Sequence, residues 1–482
     1  MAQSFMFYDL ETSGISSAYQ RIMQFGGQRT TLDLKPIGQP INVLVKLSED
    51  ILPEPKAILV HGIAPQKTLA EGLSERDFSQ LLDKEIFIKD TIAVGFNNIR
   101  FDDEFIRHLF WRSFYDPYEW HYKDGRSRWD LLDLTRMTRA LRPKGLSWPV
   151  DEAGAATNRL ELLAQANGFA IKRAHDAESD ILATLEWARR LKSAQPKLFD
   201  WLFNHRDKPA VAKVIHSAKP LSQPFVYSSG RYPSEFEKTT VAVVLGPHPT
   251  DSNSVLVYDL RHHPEEFAGL SAKDLSSLLY VAYEDRDKLK PLPVKKLALN
   301  RVPAVAPPAT LDSAAQTRIG LSLKTAERHL KALAGIDGWY ERVAEAYDLR
   351  DGPPKRLDPE GRLYDGFLND KDKNLVSQVR RAKPDKLADF QPGFIDERLA
   401  PLLLRYKARN LAMTLSQSEQ TAWESWRADK LLNGVDNSLT LAEFAQQLAK
   451  TTEYAANTEQ KFLLEELKLY GESIAPAQLF DT

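Results

Sequence analysis

Apolar residues recur along this 482-residue chain in two rhythms. Residues 4–10 form a short apolar and aromatic run, the pattern of a buried central strand. Further strands are predicted around 22–33 and 41–47, and at 91–96, where Asn97-Asn98 stops the run. From 101 to 114 the spacing changes. Phe101, Phe105, Leu109 and Trp111 stand among charged residues at mainly helical intervals. Segments 131–141, 158–166 and 176–191 also read as helices. Strands first and amphipathic helices later predict an α/β domain ending near Gln195-Pro196.

The middle third changes character. Runs at 225–228, 240–245 and 255–260 are β-rich and separated by Pro, Gly, Asn and Asp, which predicts a small antiparallel domain, with 295–302 as a further strand. From about Arg318 the pattern becomes helical. Asp351-Gly352-Pro353-Pro354 is a strong breaker and a candidate linker. Segments 400–409, 421–431, 441–448 and 458–469 predict a mostly helical final part. No fixed-period repeat is visible. A length of 482 residues, at roughly 150 per domain, also suggests about three domains.

Hydrophobic residues make up 43% of the chain and charged residues 27%, enough for packed cores and contrary to global disorder. The 64 Lys+Arg and 66 Asp+Glu nearly cancel, so net charge neither points to nucleic acid nor excludes it. Cysteine is absent, which removes disulfides, thiol nucleophiles and thiolate metal sites and leaves carboxylate and imidazole ligands. The first residues read as a strand rather than a signal peptide, and every apolar run is far shorter than the roughly 20 residues that span a bilayer. A soluble cytoplasmic protein is expected.

Three acidic clusters stand out. Asp9 and Glu11, two apart at the end of the first strand, share one face. Side-by-side carboxylates in a mostly buried strand repel and lose hydration unless a positive charge joins them. A divalent cation with oxygen ligands is the simplest compensation, although a solvent-exposed strand end would serve equally well. Asp102 and Asp103 follow an apolar strand at the start of a helix, where they could cap it, or stand where α/β sheets place catalytic groups. His175, Asp176, Glu178 and Asp180 lead into a third periodic segment, with His175 at the helix entrance and Asp180 slightly more than one turn inside.

DLET at 9–12, FDDEF at 101–105 and HDAESD at 175–180 resemble the three motifs of the DEDDh (DnaQ-like) exonuclease superfamily. SRWDLLDLTRMTRALRP at 127–143, LYDGF at 363–367 and LLLRYKARN at 402–410 extend the resemblance, over nearly the whole chain, to the bacterial exodeoxyribonuclease I family. The resemblance implies a ribonuclease H-like exonuclease domain (1–195), an SH3-like β domain (196–350) and a C-terminal helical domain (351–482). It implies that Asp9, Glu11, Asp102 and Asp180 bind two Mg²⁺ ions, with Mn²⁺ able to substitute. Asp9 would bridge both ions, Glu11 and Asp180 complete one, and Asp102 hold the other. His175 takes the general-base position, for which a reference pKa of about 6.5 is suitable. Asp103, Asp176 and Glu178 match no ligand position and are assigned solvated or capping roles. The implied reaction releases 5′-mononucleotides from the 3′ end of single-stranded DNA, in repair and recombination.

Substrate contacts are expected from Glu11 and from Thr12, which follows the carboxylate pair. Arg126 and Arg128 flank Trp120, Tyr122 and Trp129, a basic and aromatic mixture suited to phosphates and bases, with Trp129 itself read as packing. Arg142 belongs to a further basic patch. Arg405, Lys407 and Arg409 could track phosphates, with at least one of them an ordinary solvated charge. The family also implies contact with the acidic, apolar C-terminal tail of single-stranded DNA-binding protein, for which Arg142, Lys219, Arg318 and Lys324 are candidates. A monomer is expected. The competing readings are a DEDDh enzyme acting on short RNA or on duplex 3′ ends, and a non-catalytic DNA-binding repair scaffold.

Overall fold

Nine residues, Ser4–Thr12, form strand β1, and its Phe5, Met6, Phe7 and Tyr8 are buried. A strand buried on both faces must be central, and β1 pairs on both sides. It runs antiparallel to β2 (Ile22–Thr30) and parallel to β4 (Thr91–Gly95), while β3 (Ile41–Leu44) pairs antiparallel with the far side of β2. These four strands therefore lie in the order β3-β2-β1-β4. The computed structural model describes residues 2–169, 177–286, 288–350, 352 and 355–477. It packs as two units, the first comprising 1–127, 171–182 and 355–482 and the second 128–170 and 183–354.

Two strands are shorter than their apolar patterns predict. β2 stops at Thr30 because the chain turns: Thr31 N–H donates to the Lys35 carbonyl at 2.9 Å, and Leu34 takes a φ of 64°. β3 stops at Leu44, and Lys46 N–H donates instead to the Leu73 carbonyl at 2.8 Å. The helix expected over 101–114 spans Asp102–Arg112, with Phe101 as its N-terminal flanking residue. Seven-residue helices at Pro55–His61, Pro65–Glu71 and Glu75–Leu81 have no counterpart in the sequence reading. Each makes only two turns, too few to establish a period, and the first two announce themselves only by proline at the first helical position.

β5 (Ser127–Asp130), which enters the second unit at Arg128, leads into the helix Leu131–Leu141. The β-rich middle forms a five-stranded antiparallel sheet from β6 (Phe225–Ser228), β7 (Thr239–Pro247), β8 (Ser254–Asp259), β9 (Val294–Ala298) and β10 (Ala304–Ala306). Its order is β10-β6-β7-β8-β9, and Phe225, Val244, Val257, Leu297 and Val305 share its core. Trp129 is core as well, edge-on to Phe199 and Phe203.

The C-terminal helices Leu399–Asn410, Gln417–Asn433, Leu441–Glu453 and Thr458–Ser473 belong to the first unit. Met23, Leu47, Ile51 and Ile58 share one apolar cluster with Leu431, Phe444, Leu464 and Leu467. Beside this cluster lies a buried lattice of charge. Lys430 and Arg409 hold Asp50 at 2.6 and 2.8 Å, while Arg409 and Arg21 hold Glu360 at 2.7 and 2.6 Å. Arg112 pairs with Glu75 at 2.7 Å, and Arg405 with Asp358 at 2.8 Å while its guanidinium covers Trp426. Lys407 pairs with Glu419 at 2.6 Å and is 1% exposed. Arg405, Lys407 and Arg409 are thus internal counter-ions, which corrects the expectation that they track phosphates. The helix that carries them is packed on more than one face, so the alternate spacing offers solvent none of the three. Among the described residues, no helix is long and apolar enough to cross a membrane.

Burial alone would raise Asp50 and Glu360, but the surrounding Arg409, Arg21 and Lys430 outweigh it and hold both carboxyls well below the usual range. Burial likewise opposes, and Arg112 and Arg21 overcome, to lower Glu75. A carboxyl depressed in the folded state stabilises above its unfolded pKa, about 4, and loses that contribution as pH falls through its folded value. Acid unfolding is therefore expected to steepen below about pH 4. Asp50→Asn should take from Lys430 its carboxylate partner and leave Arg409 with Glu360 alone, lowering stability by about 3–5 kcal/mol, measured by urea unfolding at pH 7.

Candidate functional site

The end of β1 gathers the acids. Asp9 and Glu11 project from the same face of the strand, and in the antiparallel pairing they stand opposite Gly26 and Gln24. The helix Ala177–Ala194 brings Asp180 to them. One carboxylate oxygen from each of Asp9, Glu11 and Asp180 lies within 4.8 Å of the other two. Burial, and then the Asp180 charge, push the Asp9 carboxyl up to about 8. Three crowded carboxylate oxygens fit a hard divalent metal.

Asp102 approaches from the other side of β1. The strand β4 ends at Gly95, and Asn97, at a φ of 71°, turns the chain into the helix Asp102–Arg112. Asp102 Oδ1 accepts from the Leu10 N–H at 3.2 Å, which fixes it beside the strand that carries Asp9. Burial first, then the charges of Asp9 and Asp103, hold its carboxyl well above the usual range. Asp102 is not part of the group within 4.8 Å.

Asp103 corrects the sequence reading. It is fully buried rather than solvated, and it accepts from the Tyr8 hydroxyl and from Asn98 Nδ2 at 3.3 Å. Its own N–H donates to the Asn98 carbonyl at 2.9 Å. Tyr8, which read as one more apolar strand residue, carries a buried hydroxyl that needs an acceptor. Burial, followed by the Asp103 and Asp102 charges, holds its phenol well above its ordinary pKa, so it remains a donor. Tyr8, Asn98 and Asp103 thereby tie β1, the turn and the helix start together beneath Asp102. The signal available in the sequence was a tyrosine beside Asp9 in an otherwise apolar run.

Other predicted residues are dispersed. Thr12 is buried, and its hydroxyl donates to the Gly14 carbonyl at 2.9 Å. The Arg126 guanidinium donates to the Phe87 and Lys123 carbonyls and pairs with Asp124. Arg128 is buried and donates to the Asn300 carbonyl at 3.0 Å. Arg142 is partly exposed and lies 3.4 Å from Asp312. Arg318 donates to the Ala140 and Leu141 carbonyls, whereas Lys219 and Lys324 are exposed. Glu178 accepts from Asn42 at 3.4 Å. His175 and Asp176 lie outside the described residues.

Three family models cover most of the chain: Exonuclease over residues 6–187, Exonuclease I SH3-like domain over 206–349 and Exonuclease I C-terminal domain over 357–474. Exodeoxyribonuclease I of Haemophilus influenzae is 35% identical over 97% of this chain and 98% of its own length. A solved structure of Exonuclease I from Methylocaldum szegediense is 37% identical with a TM-score of 0.92, covering 98% of this chain and 100% of that one. Escherichia coli Exonuclease I in complex with a dA16 oligonucleotide is 34% identical with a TM-score of 0.93, at the same coverage.

Removing the Tyr8 hydroxyl leaves a buried carboxylate short of one donor. Tyr8→Phe is expected to lower stability by about 1–3 kcal/mol in urea unfolding.

Proposed function

Because the chain belongs to the exodeoxyribonuclease I family, and is with it a metal-dependent exonuclease that degrades single-stranded DNA from the 3′ end, we propose that Asp9, Glu11, Asp102 and Asp180 hold two Mg²⁺ ions at the scissile phosphate. The observation that carries this reading is the convergence of Asp9, Glu11 and Asp180 within 4.8 Å, with Asp102 fixed to the neighbouring Leu10 N–H. When bound, such cations activate water and stabilise the departing oxygen. Asp9, Glu11 and Asp180 would hold the cations from one side of β1, and Asp102 would contribute from the other, directly or through water. His175 accepts the proton of the attacking water. The products are 5′-mononucleotides.

Glu11 and Thr12 meet the terminal nucleotide. With its proton committed to Gly14, the Thr12 hydroxyl oxygen is left as an acceptor for a 3′-hydroxyl. Partly exposed Arg142 is proposed as a phosphate contact, and exposed Lys219 and Lys324 as contacts for the acidic tail of single-stranded DNA-binding protein. Buried Arg405, Lys407 and Arg409 have no part in this reading. The working divisions are 1–195, 196–350 and 351–482, supported by the residues that the three family models cover. A monomer in the cytoplasm completes the proposal.

Asp180→Asn should lower turnover at least about 10²-fold, since metal stabilisation of the transition state is worth several kcal/mol. Oligonucleotides labelled at either end provide the readout: single-stranded DNA should lose mononucleotides from its 3′ end, with slower attack on blunt duplex. Preferred cleavage of RNA or of duplex ends would instead support another DEDDh specificity, and tight DNA binding without mononucleotide release a scaffold.

His175→Ala separates proton transfer from metal binding. Metal and DNA affinity should survive while single-turnover cleavage falls roughly 10²–10⁴-fold. Weak metal binding with near-normal turnover at saturating Mn²⁺ would remove the general-base assignment.

A further inference from the structure

Gly26 stands directly opposite Asp9, and Gln24 opposite Glu11, in the β1–β2 register. Cross-strand partners present their side chains on one face, so the face bearing the two carboxylates is bare at position 26. The start of the helix Ala177–Ala194 occupies that place. A Cβ added at Gly26 would lie 2.7 Å from the Ala177 carbonyl carbon, 2.8 Å from its oxygen and 2.4 Å from Ile181 Cδ1. Ile181 is buried and could swing its terminal methyl aside, whereas the Ala177 backbone could yield only by moving the helix.

Side chains of β2 and β3 latch the same turn. Ala177 N–H points to Gln24 Oε1 at 3.4 Å, Gln24 Nε2 donates to Asn42 Oδ1 at 2.9 Å, and Asn42 Nδ2 reaches Glu178 Oε2 at 3.4 Å. Asp180 follows Ala177 by three residues on this turn, so a retreat of several tenths of an ångström carries its carboxylate away from Asp9 and Glu11. Productive site geometry tolerates only about 0.5 Å.

We propose that Gly26 is a positioning residue for the metal site: its missing side chain lets the first turn of the helix press onto β2, and this close approach sets the spacing of Asp180 from Asp9 and Glu11. The inference rests on the reading of these carboxylates as metal ligands.

Mn²⁺ titration of the full-length protein, followed through the free-ion EPR signal, tests it together with circular dichroism. Gly26→Ala should fold and bind Mn²⁺ roughly 10–100-fold more weakly, the usual cost of disturbing the support of a ligand. Its turnover should return at saturating Mn²⁺. Should the added methyl prevent folding, Gly26→Ala/Ile181→Ala removes the Cδ1 contact but keeps the clash with the Ala177 backbone, and the same weakening is expected. Ile181→Ala alone should lose stability yet bind Mn²⁺ as the parent does. Parental affinity in a folded Gly26→Ala protein, or equal weakening in Ile181→Ala, would overturn the inference while leaving the metal reading intact. A parent that binds no Mn²⁺ would overturn both.

Discussion

Crowding of carboxylates at the end of β1 is the constraint around which the first unit is built. Asp9, Glu11 and Asp180 bring their oxygens within 4.8 Å, and Asp102 is fixed one residue along the backbone from Asp9. Left uncompensated, such a group takes up protons, as the upward shifts of Asp9 and Asp102 express. Its geometry must therefore be imposed by the scaffold. Pairing of β1 on both sides fixes Asp9 and Glu11, the Tyr8–Asp103–Asn98 bonds fix the helix that starts with Asp102, and helix contact with β2 fixes Asp180.

The same unit contains the opposite solution to the same electrostatic problem. Asp50, Glu75, Asp358 and Glu360 are more deeply buried than Asp9 and Asp180, yet Arg21, Arg112, Arg405, Arg409 and Lys430 stand among them at ion-pair distance. There the carboxyls of Asp50, Glu75 and Glu360 shift down rather than up. Two groups of buried acids thus differ in the origin of their counter-charge. One is supplied by the chain itself and locks N-terminal to C-terminal segments of the unit. The other gathers carboxylate oxygens of the kind that a divalent cation would bridge.

This contrast explains what was legible in the sequence. Period-two spacing shows that Asp9 and Glu11 share a face, because strand geometry is local. Short apolar runs reveal β1, β4 and the strands β6 to β9 for the same reason, whereas the three residues of β10 are too few to make a pattern. The fates of Arg405, Lys407 and Arg409 are set by partners such as Asp50, which is more than 350 residues from Arg409, and no local pattern records that pairing. Asp103 read as solvated or capping because acids are ordinary in a helix's first turn, and its buried role comes from Asn98 and from Tyr8, 95 residues away. Gly26 carried no signal until the close approach of the Ala177 backbone became visible. The short helices beginning at Pro55 and Pro65 were missed because two turns do not make a period.

Distance along the chain also shapes the chemistry. Glu11 and Asp180 become neighbours only when β1, β2 and the start of the helix Ala177–Ala194 are packed, so the unfolded chain has no such site to offer a cation. A ligand that binds only the folded arrangement stabilises it by mass action. Gly26 with the Gln24 and Asn42 contacts, and the Tyr8–Asp103 pair, act on opposite sides of β1, the first letting the helix start approach β2 and holding it there, the second fixing the helix that begins with Asp102. Held from both sides, the acids cannot relieve their repulsion by spreading apart, and charge neutralisation becomes the remaining route.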